Sequence, residues 1–259
     1  MFRILLTVAG IHLLGFGLLL GTEHTAQTIS TGLLAYVLGL RHAFDADHIV
    51  AIDATTRKLI HEHKQAHGVG FYFSLGHSTV VFAMTVLSLS GVFSLSKQLF
   101  DENSVLRQFG AAIGTTIAIT FLFLLASYNL KIMLDILKGQ THKTPTGLFS
   151  KYIKPANSAK GMYPIGLLFG LGFDTATSVA MLSLSIVSVT SGNLLFAAIA
   201  LPIIFTSGMA LGDTLGGYLM QQGMKWATAK NSRKNYNLAL TIIAVFASTA
   251  IGLNLLLSL

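Results

Sequence analysis

Residues 29–54 read ISTGLLAYVLGLRHAFDADHIVAIDA. A helix rises about 1.5 Å per residue, so this run is long enough to cross the hydrocarbon core of a bilayer, which is about 30 Å thick. Further apolar runs precede and follow it along the chain. The predicted transmembrane helices lie near residues 2–21, 29–54, 68–95, 109–130, 164–190, 194–222 and 236–258. We therefore predict an all-α integral membrane protein in which residues 1–259 form one polytopic domain with about seven transmembrane helices.

The composition agrees with a membrane location. Hydrophobic residues make up 53% of the 259 residues and charged residues only 10%, against about 25% charged in soluble domains. Cysteine is absent, which excludes disulfides and thiolate metal sites. The net charge of +7 arises in the segments between helices, so we expect the lipid bilayer and no nucleic acid as a partner. The composition does not indicate an oligomeric state.

Lys and Arg are distributed unevenly between the two sides of the predicted membrane. Of the 17 Lys and Arg residues, fourteen lie on the side of the N-terminus, two lie on the opposite side, and Arg41 lies within the second apolar run. The positive-inside rule then places the N-terminus in the cytoplasm and, after seven crossings, the C-terminus outside. The predicted location is the cytoplasmic (inner) membrane.

Ionisable side chains lie within the apolar runs, where a charge near a helix centre costs roughly 2.5–3.5 kcal/mol. The acids are Asp45, Asp47, Asp53, Asp174 and Asp213, and the histidines are His12, His42, His48 and His77. A structural ion pair explains any single one of them equally well. Arg41 offsets only one of the five negative charges, however, so protons or a metal cation must neutralise most of the others. Five of the predicted helices place such residues at similar depth, which predicts one site near the membrane centre.

The densest segment runs from Arg41 to His48. On a regular helix His42, Asp45 and His48 share one face, whereas Asp47 points away from it. Either Asp47 pairs with Arg41 or with another helix, or the segment departs from regular helix, and both alternatives stay open. Imidazole together with carboxylate favours Ni²⁺, Co²⁺, Zn²⁺ or Fe²⁺ over Mg²⁺ and Ca²⁺, which prefer oxygen ligands.

Four motifs resemble those of the nickel/cobalt transporter (NiCoT) family of secondary permeases. They are His42-x₄-Asp47-His48, GFYFSLGHSTVV at 70–81, LGFDTAT at 171–177 and GMALGDT at 208–214. The resemblance implies uptake of Ni²⁺ or Co²⁺ as transported substrate, without a cofactor and without enzymatic activity. It also implies that His42, Asp47 and His48 are central to metal recognition.

Motifs and depth together give the predicted site. The predicted metal ligands are His42, Asp47, His48, Asp45, His77, Asp174 and Asp213, and the predicted supporting residues are Arg41, Asp53, His12, Ser78, Thr79 and Thr175. The chain departs from the family pattern in having Ser178 where many members have Glu and Gly216 where many have Asp. Many members also have an eighth helix, whereas seven are predicted here. The two missing acids bear on metal preference and on proton coupling.

Two loose matches indicate an internal repeat. Phe44-Asp45 recurs as Phe173-Asp174, and residues 73–76 recur as residues 205–208. A shift by three helices reverses the direction of crossing, so the second and third helices would be related to the fifth and sixth as an inverted repeat. Such repeats are typical of secondary transporters with sites near the bilayer midplane.

Two other functions are compatible with the same residues. His-x₄-Asp also occurs in membrane acyltransferases, in which the histidine is a general base, but the sequence lacks further substrate-binding motifs of such enzymes. A hydrolase with a metal-activated water is a related alternative. An efflux permease would use the same ligands as an uptake permease. The membrane potential assists inward movement of a divalent cation by about 4.6 kcal/mol per 100 mV, which favours uptake.

Overall fold

The structure is a computed structural model that describes residues 1–21, 25–89, 105–138, 157–171, 180–185, 188, 196–229 and 233–257. Its principal helices are α1 (Phe2–Leu20), α2 (Ala26–His42), α3 (Ala46–His61), α4 (Val69–Leu89), α5 (Val105–Leu137), α6 (Met162–Gly170), α7 (Leu201–Ala229) and α8 (Arg233–Leu257). A π-helical turn, Phe196–Ala200, leads into α7. No strand occurs within these described ranges. The predicted all-α class is confirmed.

Two of the described helical segments are long and apolar enough to cross a membrane by length and composition, Phe2–Leu20 and Val69–Leu87. Shorter apolar helical stretches lie at Ile119–Lys131 and Thr241–Asn254. Large apolar side chains cover the outer surface of the bundle, and Phe246, for example, is 76% exposed. An outward-facing apolar surface matches lipid surroundings, because water would disfavour a large apolar patch.

The run 29–54, predicted as one crossing, contains two helices. α2 ends at His42, and the backbone N–H groups of Phe44 and Asp45 donate to the carbonyls of Arg41 and His42 at 2.9 Å each. Asp45 is extended (φ −65°, ψ 144°), and α3 starts at the next residue. Of the two alternatives for this segment, the structure therefore has the irregular backbone. Such a break at membrane depth is tolerated where the backbone is buried in protein or lines a cavity.

Helix α7 lies at the centre of the packing. It contacts α1, α2, α3 and α4, and α4 in turn packs along α6. Phe205 of α7 belongs to one buried cluster with residues of α2, and Phe73 of α4 belongs to a second with residues of α3 and α6. Both phenylalanines are fully buried. The break between α2 and α3 therefore faces the interior between α4 and α7.

The far end of α3 is fixed by polar contacts. Arg57 and Lys58 are almost fully buried. Arg57 forms an ion pair with Asp53 on the same helix, and Lys58 Nζ donates to Asn157 Oδ1 at 2.5 Å. These contacts satisfy buried charge, which would be costly without a partner, and they hold the orientation of α3 at the site.

Candidate metal site

Three histidine side chains from three helices meet in the interior. His42 is the last residue of α2, His48 lies in the first turn of α3, and His77 lies in α4. Their ring centroids are 4.5, 4.8 and 4.9 Å apart, and one ligand atom from each lies within 4.8 Å of the other two. None is more than 2% exposed. Three imidazoles in this arrangement suit a first-row transition-metal ion.

Two of these histidines each have a carboxylate next to their Nδ1 atom. His42 Nδ1 is 2.7 Å from Asp45 Oδ2, and His48 Nδ1 is 3.2 Å from Asp213 Oδ2. If each Nδ1–H donates to its carboxylate, the Nε2 lone pair of each ring remains for another partner. This is the pattern of metal-ligating histidines, in which the carboxylate fixes the orientation and tautomer of the ring. Asp45 and Asp213 therefore contact the histidines as orienting groups.

The remaining imidazole nitrogen atoms form the donor set. His42 Nε2 is 3.0 Å from His77 Nε2, whereas His48 Nε2 and His77 Nδ1 are buried without a hydrogen-bond partner among the described residues. The 3.0 Å separation is that of an N–H···N hydrogen bond between the two rings. An unpaired buried polar atom costs about 1–3 kcal/mol, so a bound cation would relieve an unfavourable state.

Two phenylalanine rings enclose the histidines. Phe73 meets His48 edge-on, with centroids 4.8 Å apart and planes at 90°. The ring centroid of Phe205 lies 5.7 Å from that of His42. Because both rings are fully buried, they keep water from the outer faces of these imidazoles and restrict their rotation.

Asp47 and Asp53 lie apart from the cluster. Asp47 is in the first turn of α3 and partly exposed, and it is not among the three converging ligands. A carboxylate in that position interacts favourably with the helix N-terminus. Asp53 lies farther along α3 and pairs with Arg57. The assignment of Asp47 as a direct ligand stays a prediction that this arrangement does not support.

His12 is also outside the cluster. Its Nδ1 lies 2.8 Å from the Val8 carbonyl, and its Nε2 lies 3.4 Å from the Tyr36 hydroxyl. The ring packs with Tyr36 and Phe16 at the contact between α1 and α2. His12 is therefore separate from the three histidines, although it was predicted at a similar depth in the membrane.

The other predicted residues have varied positions. Arg41 is exposed. Ser78 is buried beside His77, and its hydroxyl has no hydrogen-bond partner within the described ranges. Thr79 is exposed and bonds to the Leu75 carbonyl at 2.8 Å. Asp174 and Thr175 lie outside the described residues, so their predicted roles stay predictions.

A cavity of about 340 Å³ lies between α3 and α7 beside the cluster. Asp213 and Asp53 line it together with apolar residues and glycines. Since the Asp213 carboxylate also contacts His48, the cavity adjoins the histidines. A methyl group at Gly216, also in the lining, would meet no atom within 4 Å. The cavity therefore has room for a larger side chain at that position.

Two features of the site were not predicted. Phe205 entered the sequence analysis only through the match of residues 205–208 to 73–76, and that match was the signal that could have placed it opposite Phe73. Asp213 was predicted as a metal ligand, and its contact with His48 Nδ1 was not predicted. A sequence gives the depth of a carboxylate but not which neighbour its oxygen atoms face.

Comparison with known proteins identifies the family. A family model described as high-affinity nickel-transport protein matches residues 28–259. The high-affinity nickel-transport protein NixA of Helicobacter pylori is 38% identical over 97% of this chain and 81% of its own length. The nickel transporter NixA of Staphylococcus aureus is 39% identical over 94% and 77%. The cobalt transport protein NhlF of Rhodococcus rhodochrous is 34% identical over 89% and 72%. No solved structure matches the chain.

These matches confirm the resemblance that the four motifs predicted. The matched region includes His42, His48 and His77. The family and the relatives are transporters and not enzymes, so the acyltransferase and hydrolase alternatives are set aside. The chain belongs to the family of high-affinity nickel-transport proteins, which are membrane transporters.

Proposed function

We propose that this chain is a secondary permease that carries Ni²⁺, and also Co²⁺, across the cytoplasmic membrane in the direction of uptake. The observation that carries the proposal is the buried convergence of His42, His48 and His77 with two unpaired ring nitrogens. Named relatives transport nickel or cobalt, and their substrates agree with this donor set.

The donor set of imidazole nitrogens favours particular metal ions. Imidazole nitrogen suits nickel, cobalt, copper, iron and zinc, whereas Mg²⁺ and Ca²⁺ prefer oxygen throughout. Among these ions, the transport of nickel and cobalt by the named relatives points to Ni²⁺ and Co²⁺.

The cavity between α3 and α7 is proposed as the path between the cluster and the cytoplasm. Asp213 lies at the cluster, and Asp53 lies farther along α3 in the predicted cytoplasmic half of the membrane. Because Arg57 pairs with Asp53, Asp213 is the carboxylate that would attract a cation here, and interactions between charges are strong where water is scarce. The inside-negative membrane potential then favours movement towards the cytoplasm.

Transport assays test the proposal. Purified protein in proteoliposomes should take up Ni²⁺ and Co²⁺, and excess Co²⁺ should compete with Ni²⁺ more strongly than excess Zn²⁺ or Mn²⁺. The variant His77→Ala should lower initial Ni²⁺ uptake at low concentration by at least about 10-fold, because it removes a ligand. The matched control is His63→Asn, since His63 is exposed and Asn tolerates its positive φ of 54°.

The outcomes separate the alternatives. Normal uptake by His77→Ala together with loss in His63→Asn would place the metal site in the loop after α3. Ni²⁺ accumulation in cells that falls below that of cells lacking the protein would establish efflux. Equal competition by all four metals would contradict the assignment of the substrate.

The predicted orientation has its own test. Because fourteen of the 17 Lys and Arg residues lie on one side, reporters fused to the N-terminus should be active in the cytoplasm and reporters fused to Leu259 should be active outside. Cytoplasmic activity at both ends would mean an even number of crossings and would contradict the predicted count of seven.

A further prediction concerns Gly216, where many members of the family have Asp. We expect Gly216→Asp to increase the apparent affinity for Ni²⁺ uptake several-fold, because it adds a carboxylate to the cavity beside Asp213 in a place with room for it. Gly216→Asn is the matched control of equal size without the charge. Initial rates over a range of Ni²⁺ concentrations measure the effect, and equal behaviour of the two variants would contradict the electrostatic reason.

A further inference from the structure

Helices α2 and α7 touch through their backbones at two glycines. A methyl group at Gly39 of α2 would overlap the carbonyl oxygen of Phe205 in α7. In the opposite direction, a methyl group at Gly208 of α7 would overlap the carbonyl oxygen of Tyr36 in α2. Each helix therefore uses a glycine where the backbone of the other passes, and no larger residue fits without moving one of them.

Helices α4 and α6 make the same contact. A methyl group at Gly166 of α6 would overlap the carbonyl oxygen of Phe73 in α4, and one at Gly76 of α4 would overlap the carbonyl oxygen of Tyr163 in α6. The residue types at this contact are the same as at the contact between α2 and α7. In both, the glycine that follows a tyrosine contacts the carbonyl of a phenylalanine, and the glycine that follows the phenylalanine contacts the carbonyl of the tyrosine.

The residues at these contacts belong to two short sequence motifs that each occur twice in the chain. Tyr36-x-x-Gly-Leu of α2 recurs 127 residues later from Tyr163 in α6, and Phe73-x-x-Gly of α4 recurs 132 residues later from Phe205 in α7. In the first pair of helices the tyrosine segment comes first along the chain, and in the second pair the phenylalanine segment comes first. This exchange of order follows if α2 is related to α6 and α4 is related to α7, and the predicted shift of three crossings makes such a repeat inverted.

The repeated segments adjoin the three histidines. His42 lies one turn after Gly39, and His77 directly follows Gly76. The same two phenylalanines whose carbonyls meet the glycines carry the rings that pack on the histidines, Phe205 on His42 and Phe73 on His48. The contacts that set the spacing of the helices are thus within one turn of the groups that would bind the metal.

Helix α6 illustrates the effect most directly, since none of the three clustered histidines lies on it. A methyl group at Gly166 would lie 3.0 Å from the backbone nitrogen of His77 as well as overlapping Phe73. A methyl group at Gly170, one turn later, would lie 3.0 Å from the backbone oxygen of His77. These two glycines allow α6 to pack directly against the backbone of His77.

We propose that Gly39, Gly76, Gly166 and Gly208 are positioning residues of the metal site and are related to one another by an inverted repeat. They fix α2 against α7 and α4 against α6. Because α7 also packs on α4, these contacts set the helix positions from which the Nε2 atoms of His42 and His77 come within 3.0 Å. The buried, unpartnered nitrogens of His48 and His77 show that the geometry is set for a ligand. The inference rests on the proposed function, because it assigns to the glycines the geometry of that site.

The decisive variant is Gly166→Ala. It should weaken Ni²⁺ binding to purified protein by at least about 10-fold in isothermal titration calorimetry, comparable to the loss of a group that orients a ligand. The visible absorption of bound Co²⁺ should also change in position and intensity, which a purely structural role would not require. Gly10→Ala and Gly17→Ala are the matched controls, because a methyl group at either position meets no atom within 4 Å, and both should bind like the wild type.

A milder variant covers the case in which Gly166→Ala does not fold. At Gly170 a methyl group would lie 2.9 Å from Val80 Cβ and 3.0 Å from the His77 oxygen, so Gly170→Ala requires a smaller shift of α6 than Gly166→Ala does. We expect it to be recovered in the membrane and to weaken Ni²⁺ binding several-fold. Thermal unfolding of the purified protein establishes which variants are folded.

Wild-type affinity and an unchanged Co²⁺ spectrum in folded Gly166→Ala would overturn the inference. If Gly166→Ala cannot be recovered, the same result in Gly170→Ala would overturn it. Failure of the proposed function would give a different result from failure of this inference. In that case the wild type would bind Ni²⁺ no better than His42→Ala does. A similar loss in Gly39→Ala, which lies at the related contact, would support the repeat.

Discussion

Replacing His42 by Ala is expected to abolish Ni²⁺ uptake. His42 is the side chain that joins the parts of the site, because its Nδ1 contacts Asp45 at 2.7 Å and its Nε2 lies 3.0 Å from His77 Nε2. Its ring is also 4.5 Å from that of His48. The substitution removes one of three nitrogen ligands and leaves Asp45 without its partner. We expect the affinity for Ni²⁺ to fall by at least about 100-fold, the upper end of what loss of an orienting group alone costs.

Two measurements on the same preparations check this expectation. Initial rates of radiolabelled Ni²⁺ uptake, normalised to the amount of protein in the membrane, give the loss of transport. Calorimetric titration of the purified variant gives the loss of binding. His63→Asn again serves as the control, as an exposed histidine outside the cluster. Uptake at the wild-type rate by folded His42→Ala would exclude the three-histidine cluster as the transport site.

The helical periodicity did not predict the break between α2 and α3, yet it grouped three residues that the structure brings together. His42, Asp45 and His48 were expected on one face, and the structure brings them together although the backbone turns between α2 and α3. The turn is short, so residues three positions apart remain neighbours. Asp47 could not be placed in this way, because its direction depends on where α3 begins.

Depth along the helices grouped His77, Asp213 and His12 with the histidines of the second apolar run. His77 and Asp213 lie within α4 and α7, whose steady rise of about 1.5 Å per residue makes height easy to estimate. His12 was assigned the same height, but it lies on the side of α1 that faces Tyr36 and is separate from the cluster. Height in the membrane does not determine lateral position, which depends on helix packing. That packing is set here by glycine contacts whose pairing a single sequence does not reveal.

Replacing Asp213 by Asn is the second variant with a large expected effect. The Asp213 carboxylate accepts from His48 Nδ1 at 3.2 Å, and the two side chains are fully buried. An ionised carboxylate only accepts hydrogen bonds, so it holds the proton of His48 on Nδ1 and leaves Nε2 as a ligand. An amide can donate instead, which would move the proton to Nε2 and direct it at the metal. We expect the affinity for Ni²⁺ to fall by about 10- to 100-fold.

A comparison of Asp213→Asn with Asp213→Ala separates the tautomer from the loss of charge. Both variants remove the negative charge, but only Asn supplies a donor at His48 Nδ1. The amide can donate Nδ2–H to His48 Nδ1, which blocks Nε2, or its Oδ1 can accept from Nδ1–H as the carboxylate does. If the amide donates, Asn should bind Ni²⁺ no better than Ala, although it conserves the size of the side chain and should unfold at a higher temperature. Calorimetric titration gives the affinities, and thermal unfolding gives the stabilities. Near wild-type affinity in Asp213→Asn would contradict the expected loss and would mean that the negative charge is not needed, because the amide Oδ1 can accept from His48 Nδ1 as the carboxylate does.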